Sequence, residues 1–267
     1  MKKDPLVSVI ITNFNKSKYI LESVKSCLRQ SYKKKEIIFF DDKSTDNSLK
    51  KIKDFKIKNK LKFKIISNLN KKESTAPINQ MIAVKKSLNF TKGKYVFLLD
   101  SDDFFHKNKI FEIIDIFKKD KSKKMILDLP IYKYKKKEVK KNFINKNLKN
   151  KWPKFPSTSC MCFEKKSLKN ILGKIEFKKY PNLAIDFYLA VYYSIILKNF
   201  YIHRSHLTYY RQVDDGTDSS YLKFKSKKWW IRRKEAFEFL NNLLVKNKLP
   251  TNRSLDYFIT KFLNQFL

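Results

Sequence analysis

Four short apolar runs, at residues 6–12, 36–40, 63–67 and 95–99, constrain this chain more than anything else in it. Each is rich in β-branched or aromatic side chains and too short for a helix, so each is expected to be a buried strand. Helical patterns lie between them. Residues 18–30 put Ile20, Leu21, Val24 and Leu28 on one face. A second pattern starts near Ser44 and carries Leu49, Ile52 and Phe55; a third, 77–88, carries Ile78, Met81, Ile82, Val84 and Leu88. Strands alternating with crossover helices give a doubly wound, mainly parallel α/β sheet with helices on both faces. Such sheets bind ligands at the carboxyl ends of their strands. Thr12, Asp41, Asp42 and the tetrad Asp100-Ser101-Asp102-Asp103 all fall at such ends. Clustered carboxylates there repel one another. A divalent cation held by oxygen ligands beside a phosphate relieves that repulsion; a solvated acidic turn is the alternative.

The chain has 267 residues, enough for one large domain with an appendage. Three parts are expected: a first half (1–120), a second half of the same domain (121–225) and a C-terminal helical extension (226–267). The Lys/Asn-rich stretch 133–151 reads as a long loop. Beyond it come a strand at 155–163, helices at 165–172 and 184–197, short strands at 201–203 and 207–211, and helices at 226–244 and 254–266. The net charge of +36 suggests a polyanion partner, but 55 of the 61 basic residues are Lys and only 6 are Arg. With abundant Asn, Ile, Phe and Tyr, this is the skew an AT-rich genome writes. Arg, the better phosphate fork, is scarce, so no specific nucleic-acid partner is expected. Three cysteines without a CxxC indicate neither a disulfide framework nor a zinc site. No signal peptide or membrane span is expected, which puts the chain in the cytoplasm, with peripheral contact at the inner face of the membrane as an added option. With three glycines in the chain, a GxGxxG or Walker A loop is absent. A nucleotide would have to be held by side chains and a metal.

Three segments carry a resemblance. They are Val7-Ser8-Val9-Ile10-Ile11-Thr12-Asn13-Phe14-Asn15, Glu36 through Asp41-Asp42-Lys43-Ser44-Thr45-Asp46, and Gly93-Lys94-Tyr95 through Asp100-Ser101-Asp102-Asp103. In this order and spacing they resemble the family 2 glycosyltransferases of GT-A fold, strongly over about 120 residues and weakly over the next hundred. The resemblance makes the first half (1–120) the nucleotide-sugar-binding half and the second (121–225) the acceptor-side half. The resemblance implies that Thr12 and Phe14 meet the nucleotide base, Phe14 standing where Tyr is usual. It implies that Asp42 reads the base edge; a helix cap with Ser44 and Asp46 is the plainer role. Asp100 and Asp102 match the outer residues of a DXD motif, with Asp102 the main ligand of Mn²⁺ or Mg²⁺, Asp100 beside the ribose or the metal, and Asp103 a support for the loop or a cap for the next helix.

The resemblance also makes Asp186 the base, at the start of an apolar helix, although Ile185 stands where the family often has Glu. A carboxylate placed there by the helix dipole is the alternative. Arg211, in Leu207-Thr208-Tyr209-Tyr210-Arg211, would contact the diphosphate or else make a surface ion pair; Gln212-Val213-Asp214-Asp215-Gly216 follows where relatives often place a His. Ile78 precedes Asn79 where Arg is common, and Lys71-Lys72 would replace its charge. His203 and His206 lack a partner set for a metal. Residues 156–163 resemble the acceptor-side segment or form a plain core strand. Lys227-Lys228-Trp229-Trp230-Ile231-Arg232-Arg233 has a membrane-interface composition, while Trp230, Phe237, Leu240 and Leu244 make a core stripe.

The function implied is a metal-dependent, inverting transfer of a sugar from a nucleotide-diphospho-sugar, a UDP-sugar by the family's habit, to a glycan or lipid-linked acceptor for an envelope polysaccharide. A catalytically degenerate nucleotide-sugar or glycan binder on the same fold is the first alternative. A basic polyanion- or membrane-surface module is the second.

Overall fold

The computed structural model describes residues 4–68, 75–141, 152–153, 155–214, 216 and 221–267. Its first half alternates as the hydrophobic periods require: β1 Val7–Asn13, α1 Ile20–Leu28, β2 Lys35–Asp41, α2 Ser48–Lys58, β3 Lys64–Ser67, α3 Ala76–Leu88 and β4 Tyr95–Asp100. These strands pair in parallel in the order β3-β2-β1-β4. They are apolar on both faces because both are covered. Val7, Val9, Ile11, Phe97 and Leu99 face one core layer with Ile20 and Val24 of α1. Their alternates Ile10, Val96 and Leu98 face the other, with Met81 and Val84 of α3. Glycine is needed at one close approach. A Cβ on Gly93 would lie 2.5 Å from the Ser8 backbone nitrogen, and the Gly93 N–H donates to Ser8 Oγ at 2.9 Å.

Beyond β4 come β5 Phe104–Phe105, α4 Lys109–Lys119, β6 Met125–Lys133, β7 Glu138–Lys140, β8 Met161–Glu164, α5 Lys165–Lys174, α6 Ile185–Ala190 and β9 Phe200–Arg211. The sheet continues β4-β8-β6-β9-β5, with β8 antiparallel to both neighbours and β6 parallel to β9. This half departs from the sequence expectations. The two short strands at 201–203 and 207–211 are one twelve-residue strand, β9. Its register against β6 shifts around Leu129 and Pro130, where proline cannot donate to the ladder. The strand expected at 155–163 begins only at Met161, after a 3₁₀ turn at Thr158–Cys160. The helix expected at 184–197 is α-helical to Ala190 and π-helical over Val191–Ile196. The second helix starts at Ser48 rather than near Ser44, because Ser44 is bonded to Asp41 in a turn. Helix α4 and strand β6 carry no counterpart in the sequence reading.

The C-terminal helices are α7 Lys227–Lys246 and α8 Leu255–Leu263, capped by Ser226 and Ser254. Phe237, Leu240 and Leu244 are buried as expected. Trp230 leaves the core stripe: it packs with Trp229 at 4.7 Å and Phe224 at 6.0 Å, and donates its indole N–H to the Phe224 carbonyl. Cys27 on α1 and Cys160 and Cys162 at β8 are free and fully buried. Among the described residues, no helix is long and apolar enough to cross a membrane.

Candidate active site

Parallel pairing brings the carboxyl ends of β1, β2 and β4 to one edge. Thr12 is in register with Asp100, and Asn13 with Asp41. The chain then leaves the sheet under control: Asp42 N–H donates to the Asn13 carbonyl at 2.8 Å and Ser101 N–H to the Thr12 carbonyl at 3.0 Å. A cleft of about 740 Å³ opens there, and Thr12, Phe14, Asp42, Asp100, Asp102, Asp186 and Arg211 all line it. Lys16, Gln80 and Arg232 line it as well. The seven residues singled out in the sequence therefore meet at one place.

The adjacent carboxylates of β2 divide. Asp41 is buried and ties the turn together, accepting from Asn13 Nδ2 at 2.8 Å, Ser44 Oγ at 2.7 Å and Ser44 N–H at 3.0 Å. Asp46 takes the Ser17 and Ser48 N–H groups at 2.9 Å each. The turn before α2 is thus tied by Asp41 and Asp46, while Asp42 lines the cleft and accepts from Asn68 Nδ2 at 2.8 Å.

In the tetrad, Asp100 Oδ1 accepts from Thr12 Oγ1 at 3.0 Å and from Gln80 Nε2 at 2.7 Å. Its carboxyl is pushed up to about 7, first by burial, then by the Asp102 charge, with Asp186 adding to it against those hydrogen bonds. Asp102 lies 3.6 Å from Lys16 Nζ. Asp103 is buried and faces away from the cleft. It accepts the Arg211 N–H at 2.8 Å and the Ser159 hydroxyl at 2.6 Å, so it anchors the loop. It does not cap α4, whose N-cap is Asn108. Burial and the charges of Asp102 and Asp100 hold the Asp103 carboxyl well above its ordinary range.

Asp186 sits in the first turn of α6, where the helix dipole favours a carboxylate; one oxygen accepts the Phe187 N–H at 2.7 Å. Arg211 is a brace. Its Nε donates to the Asp102 carbonyl at 2.8 Å, its fork reaches Glu22, and its plane lies over Tyr19 and Phe104 at 4.8 and 5.2 Å. His203 faces Glu112 and His206 the Pro130 carbonyl, and neither lines the cleft. Lys71, Lys72 and Asp215 lie outside the described residues.

Sequence reasoning missed Gln80 and a buried cluster under the loop. Lys109 Nζ, fully buried, contacts Asp128 Oδ1 at 2.7 Å, the Ser159 carbonyl at 2.6 Å and Thr208 Oγ1 at 2.6 Å. Thr208 donates to Asp128 Oδ2 at 2.7 Å. Ser159 then carries the cluster to the loop, since its hydroxyl also receives the Asp100 N–H at 3.0 Å. Ser159 and Thr208 lie 50 and 99 residues from Lys109 in sequence, and Asp128 lies on a different element, so no local pattern marks them.

Could the cleft hold a divalent cation? Asp100 and Asp102 supply hard oxygen donors, and Asp100 is held protonated up to about 7 partly by its neighbour's charge, as expected where a cation would relieve repulsion. The donor set fits Mn²⁺ or Mg²⁺. Among the described residues no group of three His, Cys, Asp or Glu side chains could hold a metal ion, so oxygens of a diphosphate and water would complete the shell.

Comparison with known proteins agrees with this architecture. The profile described as Glycosyl transferase family 2 matches residues 8–174. An uncharacterized glycosyltransferase of Haemophilus influenzae is 34% identical over 113 residues, 40% of each chain. The poly(ribitol-phosphate) beta-N-acetylglucosaminyltransferase TarP of Staphylococcus aureus is 32% identical over 235 residues, 83% of this chain and 66% of TarP. The chain thus spans less than two thirds of the length of either relative. Among solved structures, S. aureus TarS 1-349 in complex with UDP-GlcNAc superposes with a TM-score of 0.62 at 17% identity, over 96% of this chain and 79% of that one. The mannosyltransferase PcManGT from Pyrobaculum calidifontis, in complex with GDP-Man and Mn²⁺, gives 0.61 at 15% identity over 93% and 67%.

Proposed function

The chain belongs to glycosyl transferase family 2, and we propose that its cleft transfers a sugar from a nucleotide-diphospho-sugar to an acceptor hydroxyl with inversion. One observation carries this reading: carboxylates from two strand ends and one helix start line a single cleft, and Asp186 is close enough to Asp100 to raise its carboxyl. Thr12, Phe14 and Asp42 are assigned to the base. Phe14, 41% exposed, offers a ring to stack on it, and Asp42 offers an acceptor to a ring N–H such as that of uracil. A UDP-sugar is the donor proposed. Asp102 and Asp100 would hold Mn²⁺ or Mg²⁺, which supplies a counter-charge to the leaving diphosphate. The first turn of α3, where Ala76, Pro77 and Asn79 line the cleft, adds the positive end of a helix dipole.

The sugar carbon passes through an oxocarbenium-like state. The acceptor hydroxyl must lose its proton as it attacks from the opposite face, and Asp186 is assigned to take it. Arg211, spent on the loop and Glu22, is assigned to positioning, and Lys16 to balancing charge beside Asp102. The acceptor is a glycan or a lipid-linked sugar, reached past Ser157, Thr158 and Arg232.

Release of UDP from a panel of UDP-sugars with Mn²⁺, measured with and without glycan acceptors, tests the reading. Turnover lost in Asp186→Asn, with UDP binding intact by calorimetry, supports it. Turnover unchanged in that variant removes Asp186 as the base. The second reading, a binder without catalysis, draws on Ile185 beside Asp186 and on the commitment of Arg211. It wins if the wild type binds UDP with Mn²⁺ but releases none from any donor.

A further inference from the structure

Helix α8 is amphipathic the wrong way round for a helix that only packs. Its inward positions are Tyr257, which meets Phe237 at 5.5 Å, Thr260, which is 1% exposed, and Asn264, whose Nδ2 donates to the Trp230 carbonyl at 3.1 Å. Its outward positions are Leu255, Phe258, Ile259 and Phe262, and Phe266 follows at the same spacing. Leu255 is 77% exposed, Phe258 52% and Phe262 59%. A helix whose burial were its only task would turn the phenylalanines in and the threonine and asparagine out. Leu222 and Phe224, ahead of α7, are exposed as well.

Charge decides what this face meets. Residues 221–267 contain 11 Lys or Arg and 3 acidic residues. All three acids are spent: Glu235 is buried on Asn182, Glu238 lies 3.9 Å from Lys234, and Asp256 is paired with Arg233. Lys261 stands on α8 itself, Arg253 is exposed just ahead of it, and Lys246 and Lys248 are exposed at the end of α7. A second copy of this face would bring like charge to like, on a chain whose net charge is +36. A bilayer with acidic headgroups offers both an apolar interior for the phenylalanines and the opposite charge for the lysines.

We propose that the outward face of α8 lies in the surface of an anionic phospholipid membrane, Phe258 and Phe262 entering the acyl boundary. The surface adjoins the cleft through one turn of α7, since Arg232 lines the cleft while Arg233 pairs with Asp256 of α8. The inference stands apart from sugar transfer, because vesicle binding requires no donor.

Co-sedimentation of the whole chain with phosphatidylcholine vesicles, with and without phosphatidylglycerol, tests it. The chain is expected to bind the phosphatidylglycerol vesicles, weakly bind the neutral ones, and lose affinity as salt rises. Phe258→Ser with Phe262→Ser should weaken binding by roughly tenfold or more. Leu255→Ser with Ile259→Ser serves as an independent pair, and unchanged melting temperatures establish that both fold. Equal binding by the wild type and both double variants overturns the proposal, since charge alone would then suffice. So does light scattering that shows a dimer dissolved by Phe258→Ser/Phe262→Ser in a chain that ignores vesicles.

Discussion

The two halves of the sheet reach the cleft by opposite means. In the parallel half, β3-β2-β1-β4, the strands are nearly all apolar, and polar groups gather where each strand ends. In the mixed half, β8-β6-β9-β5, charged and polar groups are buried inside: Lys109, Asp128, Thr208 and Ser159 sit under the Asp100–Asp103 loop without access to water. The first half presents functional groups and the second fixes their support. A presented carboxylate should therefore cost activity when altered, whereas a supporting charge should cost stability first.

The largest effect should separate presentation from chemistry. Asp186→Asn is expected to lower transfer by roughly 10²–10⁴-fold, the range of a general base, with UDP affinity in Mn²⁺ unchanged. Asp102→Asn should lower transfer at least as far and weaken UDP binding in Mn²⁺ too, which calorimetry of both variants would show.

In the supporting half, Lys109→Met should cost about 3–5 kcal/mol by leaving Asp128 charged and unpaired. Replacing both, Lys109→Met with Asp128→Leu, should recover most of it, because a buried ion pair exchanged for apolar side chains of like volume is often neutral. Urea titrations measure each step. A double variant as unstable as the single one would show that the cluster stabilises the fold in its own right.

A third test is pH. Asp100 keeps its proton in the fold up to about 7 but releases it in the unfolded chain above about 3.8. Between those values the unfolded state binds fewer protons, so the unliganded fold loses stability as pH rises. The melting-temperature advantage of Asp100→Asn over wild type should widen from about pH 4 to about pH 7 and then level off. The smallest effect belongs to Phe14→Ala: loss of one stacking ring should raise KM for the donor about 2- to 10-fold, with kcat unchanged.

Legibility follows the same division. The parallel half was readable because its functional residues are contiguous with the strands that place them, as Asp100 and Asp102 are with β4. Even there, adjacency hid a difference: Asp41 and Asp42 look alike in sequence, and only the turn through Ser44 shows which one is spent. The mixed half was opaque for a physical reason. Asp128 and Pro130 interrupt the apolar pattern of β6, and their tolerance depends on Lys109, 19 positions upstream, and on a register shift against β9. Arg211 was found by its neighbours Tyr209 and Tyr210, yet its commitment to the loop could not be read from them. Gln80, one turn into α3, was passed over because nothing nearby marks it as a partner of Asp100.

The three buried thiols turn this contrast into a clock. Cys27 lies on α1 against the parallel half, while Cys160 and Cys162 belong to the mixed half, and all three are wholly shielded from solvent. Burial also pushes the Cys27 thiol up to about 12, so reagent has nothing to attack in the closed state. An alkylating agent added to the native protein will mark each cysteine only when its own half opens. The order in which peptide masses shift will then report whether the half that presents the carboxylates or the half that supports them gives way first.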